Sequence, residues 1–210
     1  MSKKSRKTHH LARSRPQRVP TAKILIVVEG HSEEKYFNTL RNRHKLHTVD
    51  VKNPDCTDPI NLWNEAKTFF EESVSNSQNS INVLPYDIVC IVYDLEKPHD
   101  EKRKLSKQAQ EQADNFVEKY KRKKGKNHKI KHEIKIVFTL SDPSFEFWYV
   151  LHYEKTTKSF TGSDEVEGYL KRYWKEYQKN SEPTQEILDK TEIAVKNAKW
   201  VRNQNETNKS

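Results

Sequence analysis

Apolar and polar residues follow two periods along this chain up to about residue 153, and only the helical one afterwards. Ile24 to Val28 is a continuous apolar run of strand length, followed by a helix from about Ser32 with Tyr36, Phe37 and Leu40 as its apolar stripe. Thr48 to Val51 alternates as a short second strand. After Pro59, Leu62, Ala66, Phe69 and Phe70 mark a second helical face, which the pattern ends in the polar segment Ser75 to Ser80, read as a loop. Ile88 to Tyr93 is apolar on both faces and therefore central. Leu105, Ala109, Ala113, Phe116 and Tyr120 space out as a long amphipathic helix, and Glu133 to Leu140 is the fourth strand. Strand and helix in alternation predict a mainly parallel α/β sheet of about four strands.

Ser141-Asp142-Pro143 reads as a helix start, with Asp142 as N-cap and Pro143 in the first turn. Phe145, Trp148, Tyr149 and His152 then share one face. Beyond Gly162, Asp164 and Glu167 have capping-box spacing, and Val166, Tyr169, Leu170, Tyr173, Trp174 and Tyr177 recur at helical intervals. Pro183 opens a last helix through Ile187, Ala194, Val195, Ala198 and Val201. The two helices are expected to pack as a hairpin on the sheet. The chain thus divides into a basic arm at 1–22, an α/β domain at 23–155 and a helical extension at 156–210.

Charge adds to this picture mainly at the amino end. The first 23 residues hold Lys3, Lys4, Arg6, Lys7, Arg13, Arg15, Arg18 and Lys23 with no acid, which accounts for most of the net charge of +9. With no apolar core or helical period, Met1 to Pro20 does not offset its own ordering entropy. Such an arm reads either as a phosphate contact or as a solubilising tail. Lys121 to His132 is a second basic stretch, in which Lys123 and Lys124 are candidates for nucleic-acid contact and a solvated connector is the plainer reading. No apolar export segment or membrane span follows the arm, so a cytoplasmic protein is expected. Cys56 and Cys90 show no pairing pattern and are expected to be reduced, with Cys90 in the core.

Chemistry is suggested where the strands end. The first strand runs into Glu29-Gly30 and the third into Asp94-Leu95-Glu96. In open α/β sheets, ligands collect outside the carboxyl ends of the strands. Carboxylates brought together there repel, and a divalent cation relieves the repulsion. Read singly, each acid is equally a helix-start residue, as are Glu33 and Glu34 in the first turn beyond Gly30.

Three stretches together carry a resemblance: VEGHSEEKYF from Val28 to Phe37, VYDLE from Val92 to Glu96, and SDPSFEFWYVLHY from Ser141 to Tyr153. They resemble the RloB-like proteins of bacterial defence loci, which are similar to Toprim-domain nucleases found beside ABC-type ATPases in abortive-infection systems. The resemblance runs from about Lys23 to Tyr177. It implies a three-layer Toprim-like fold in which Glu29 and the acidic pair Asp94 and Glu96 bind Mg²⁺ or Mn²⁺. The family pair is usually Asp-x-Asp, and this chain has Asp94-Leu95-Glu96. Ser32, Glu33, Glu146 and His152 also match family positions, and Glu33 and Glu146 are carried as candidate catalytic carboxylates. His152 is weighed as a core histidine beside Phe145 and Trp148.

What the resemblance implies is a metal-dependent nuclease acting on RNA or DNA, controlled by a partner ATPase of the ABC or AAA-like kind and able to self-associate. The alternative is a non-catalytic subunit that senses a nucleotide or nucleic acid in the same cleft. A third reading is a plain nucleic-acid adaptor in which the acids are helix caps only.

Overall fold

A computed structural model describes residues 22–79, 84–95, 99–124 and 133–207. The expected arm lies almost wholly outside them. The chain begins with β1 (Ile24–Val28), α1 (His31–Arg43), β2 (Val49–Lys52), α2 (Pro59–Asn79), β3 (Ile88–Asp94), α3 (His99–Lys124) and β4 (Lys135–Ser141). Four helices follow: α4 (Glu146–Leu151), α5 (Ser163–Leu170), α6 (Gln185–Asp189) and α7 (Thr191–Thr207). The strands form one sheet in the order β2-β1-β3-β4, with every pair parallel. This α/β arrangement is consistent with a Toprim-like fold. All four carboxyl ends therefore lie along one edge of the sheet.

Strand order fixes the layers. The step from β1 to β2 runs one way and the later steps run the other, so right-handed crossovers put α1 on one face and α2 and α3 on the opposite face. Leu25, Val27, Val89, Ile91 and Tyr93 face α2 and α3, where they pack against Leu62, Trp63, Ala66, Phe70, Ala109 and Ala113. A second, more aromatic core joins Tyr36 of α1 to Phe145, Tyr149 and Val150 and to Phe160, Val166, Leu170, Trp174, Tyr177, Ile187 and Leu188. The carboxyl-terminal segment packs largely on α4 and α1 rather than as a hairpin against the sheet.

Several boundaries differ from the sequence pattern for identifiable reasons. Helix α2 continues through Ser75 to Asn79, because Ser73, Ser75 and Ser77 turn their hydroxyls back onto the carbonyls of Phe70, Glu71 and Val74 at 2.7, 3.0 and 2.7 Å. Helix α4 starts at Glu146, not Pro143. Strand β4 still pairs at Ser141, whose carbonyl accepts from Leu95, and the chain must turn before a helix can begin. No side chain caps α5 at its Gly162 N-cap, and Glu165 instead reaches back to the Thr161 N–H at 2.8 Å. The helical spacing after Leu170 is carried by turns, which still bury Trp174 and Tyr177. The last expected helix is two, α6 with Thr184 as N-cap, and α7. Cys56 and Cys90 are free and half-buried, Cys90 lying on the face of β3 turned away from the larger core.

Among the described residues no helix is long and apolar enough to cross a membrane. Ile91 has no exposed surface and sits in the middle of β3 against both covering helices. Ile91→Ala is expected to lower unfolding stability by about 2–5 kcal/mol, read as an earlier urea midpoint at unchanged slope.

Candidate active site

The two central strands deliver the first acids. Glu29 lies one residue past β1, and its N–H still donates to the Val92 carbonyl at 3.0 Å, so the ladder fixes where its side chain leaves the sheet. Asp94 closes β3, and its N–H donates to Glu29 Oε2 at 3.0 Å. The Asp94 backbone and the Glu29 carboxylate that share this bond thus stand at neighbouring strand ends. Helix starts bring the other two acids. Glu33 is in the first turn of α1 and Glu146 is the first residue of α4, each only 3% exposed.

Gly30 makes room for this. Its backbone is extended, at φ −134° and ψ 172°, so any residue could adopt it. The constraint is space, since a Cβ there would stand 2.9 Å from Glu33 Oε2. Glu34, the next residue, turns outward to His31 and Asn53 at 3.2 and 3.1 Å. Adjacent acids in one helical turn thus have opposite fates, and the helix dipole alone does not account for Glu33.

Each buried acid draws on a different segment. Lys102 of α3 places its ammonium 2.6 Å from Glu29 Oε1, with side chains 13% and 11% exposed. Glu146 Oε1 accepts from the Tyr177 hydroxyl at 2.7 Å and from Ser32 Oγ at 3.3 Å. Ser32 also lies 3.3 Å from Asn180 Oδ1, and Lys35 donates to the Asn180 carbonyl at 2.6 Å, which ties α1 to the turn after Tyr177. Asp94 receives a hydrogen bond from the Phe145 N–H, yet its Oδ1 is buried with no partner.

Burial, with crowding by like charges second, governs protonation. Burial pushes the Glu33 carboxyl up to about 7, against the pull of its own N–H, and Glu146 and Glu29 push it the same way. Burial likewise raises Asp94 well above the ordinary carboxylate range, helped by Glu33, Glu146 and Glu29 and opposed by the Phe145 N–H. As the side chains lie, no three His, Cys, Asp or Glu among the described residues are grouped closely enough to hold a metal ion. The donor chemistry nonetheless suits a hard divalent cation: oxygen ligands, excess negative charge, and one carboxylate oxygen without a hydrogen bond. Glu29 and Asp94 are the residues fitted to hold one.

Of the sequence-derived candidates, Glu29, Glu33, Asp94 and Glu146 come together through these contacts. Glu96 lies outside the described residues, as do Lys3, Lys4, Arg6, Lys7, Arg13 and Arg15. Lys123 and Lys124 fall in the last turn of α3, with side chains outside the description. His152 has the environment of a structural histidine. Its Nδ1 donates to the Trp148 carbonyl at 2.8 Å, Nε2 lies 3.2 Å from the Tyr36 hydroxyl, and burial lowers its pKa to about 4. Lys102 is not singled out by the sequence pattern, and Tyr177 enters it only as part of the helical aromatic run. The signal for Lys102 was present: it continues, one turn earlier, the inward stripe Ser106, Ala109 and Ala113.

The model of the RloB-like protein family matches residues 24–210, and the chain belongs to that family. No curated protein and no solved structure matches it.

Because the folded pKa of Glu33 lies above its ordinary value of 4.5, ionising it disfavours the fold. Its contribution to metal-free stability is unaffected below about 4.5, is lost as pH rises toward about 7, and then levels off. Glu33→Gln is expected to remove this slope and to melt above the parent protein at about pH 8 in chelator, as thermal denaturation across the pH series will show.

Proposed function

We propose that this RloB-like protein is a metal-dependent nuclease effector of a bacterial anti-phage, abortive-infection system, hydrolysing phosphodiester bonds of RNA or DNA under control of a partner ATPase. The observation that carries the reading is the buried Asp94 Oδ1, without a hydrogen bond, beside Glu29 in a cluster where Glu33 already holds its proton tightly. A cluster used only for helix capping would pair its oxygens with N–H groups, and α1 and α4 have no side-chain cap.

Glu29 and Asp94, with Glu96 as the further acid of the pair, would hold Mg²⁺ or Mn²⁺. Such an ion, when bound, supplies charge neutralisation at a phosphodiester and a more acidic water. The protein's own groups do the rest. Glu33, with a carboxyl that titrates near 7, is poised to accept a proton and return it near neutral pH. Glu146 is held in place by Tyr177 and Ser32. Cationic candidates for gathering a polyanion are Lys3, Lys4, Arg6, Lys7, Arg13 and Arg15 of the arm, with Lys123 and Lys124.

One observation favours a second reading. Lys102 neutralises Glu29, which also suits a binding subunit without turnover that senses nucleotide or nucleic acid.

The test is cleavage of transfer RNA, other RNA, and single- and double-stranded DNA by the full chain with Mn²⁺ or Mg²⁺, alone and with a candidate partner ATPase. Glu29→Ala and Asp94→Ala are expected to lower cleavage by at least about 100-fold, since loss of a mere outer partner of a metal ligand typically costs 10–100-fold. Retained cleavage in both variants, or none by the parent chain with its partner present, would end the nuclease reading.

A further inference from the structure

We infer that Lys102 is a built-in competitor for the cation site: its ammonium occupies Glu29 in the metal-free protein, and a divalent ion enters by displacing it. The inference rests on the metal-dependent reading above.

Three consecutive cations open this part of α3, and they do not behave alike. Arg103 and Lys104 are exposed, Arg103 lying 3.8 Å from the half-exposed Asp142. Lys102 alone of the three turns inward, with its ammonium 2.6 Å from Glu29 Oε1. The helix is held at that rotation from below. Ser106, one turn on, hydrogen-bonds the Tyr93 hydroxyl, and Ala109 and Ala113 continue the same face into the core.

The two oxygens of Glu29 are used differently. Oε2 accepts the Asp94 N–H, a contact internal to the strand ends and compatible with an ion on the other oxygen. Oε1 carries the lysine. A cation shared by Glu29 and Asp94 would meet the ammonium first. Lysine is suited to leave, being a compact charge on a flexible four-carbon stem with a strongly hydrated head, whereas a guanidinium would grip the carboxylate with a fixed fork. The contact also explains why the acids can crowd together without forming a ready-made cage: one positive charge already stands on the cluster's first ligand.

A purely structural lysine and a competing one predict opposite changes in metal affinity. Removing a structural strut loosens the site and weakens binding. Removing a competitor strengthens it. Mn²⁺ affinity measured by calorimetry on the full chain is expected to tighten at least about tenfold in Lys102→Met, while metal-free Tm falls by about 5 °C or more as Glu29 loses its counter-charge. Lys102→Arg is expected to keep the metal-free Tm and bind Mn²⁺ no more tightly than the parent. The double variant Glu29→Gln, Lys102→Met is expected to recover the Tm and lose the gain in affinity.

A measurement without mutation covers the case in which Lys102→Met does not fold. In ¹⁵N spectra of lysine ammonium groups, the parent chain without metal is expected to show one signal protected from exchange, which disappears at saturating Mg²⁺. Persistence of that signal at saturation, or Mn²⁺ binding by Lys102→Met that is no tighter than the parent's, overturns the competitor and leaves the metal site standing. Absence of any metal binding by parent and variant alike overturns both.

Discussion

Like charges gathered at the closed end of a parallel sheet are the constraint around which this protein is arranged. Glu29, Glu33, Asp94 and Glu146 reach one region from three separate stretches of chain, and three of them influence Glu33 or Asp94 through space. Left alone, such a group would drive its own members apart or fill with protons. The fold counters the repulsion with fixed donors: the Asp94 N–H on Glu29, the Phe145 N–H on Asp94, and Tyr177 and Ser32 on Glu146. Lys102 adds a full charge. These partners still leave a deficit, visible in the high proton affinity of Glu33 and in the unpaired Asp94 oxygen.

That arrangement needs both cores. The larger one, between the sheet and α2 and α3, sets the register of β1 against β3 and so the spacing of Glu29 and Asp94. It also sets the rotation of α3 that turns Lys102 inward. The aromatic core has a different task. Tyr36, Tyr149, Trp174 and Tyr177 pack edge to face, and this packing brings the carboxyl-terminal turns onto α1 and α4. Tyr177 is the consequence that matters. Its ring is packed in the core while its hydroxyl reaches Glu146, so a residue after the last sheet element helps fix an acid at the sheet edge.

How much of this the sequence reveals depends on which force places each residue. The four strands are legible because burial on both faces demands continuous apolar runs, and the acids directly after β1 and β3 inherit that legibility. Boundaries set by side chains returning to the backbone are less legible. A run of serines at Ser73, Ser75 and Ser77 looks like a loop and is helix, because each hydroxyl has a carbonyl to bond. Glu33 and Glu34 are alike in composition, but Glu33 lies three and four residues before Tyr36 and Phe37 on the inward face of α1, and Gly30 leaves the space its carboxylate needs. Lys102 was hidden by convention. A lysine at a position of the apolar stripe is ordinarily read as solvent-facing, when its place in the stripe was the signal.

The charge state of the cluster also shapes how anything positive can enter it. In a solvated acidic patch, a divalent ion would add to existing charges and displace only water. Here the carboxyl of Glu33 and that of Asp94 hold protons more tightly than usual, and Glu29 is already paired. Entry of an ion would therefore be an exchange, in which protons or an ammonium leave as it arrives. Such a site would discriminate by charge density. A monovalent ion would gain too little to dislodge either, whereas a hard divalent ion would gain from several oxygens at once. The same burial that makes the acids costly to ionise would thus make the site selective, and one residue change would alter both properties together.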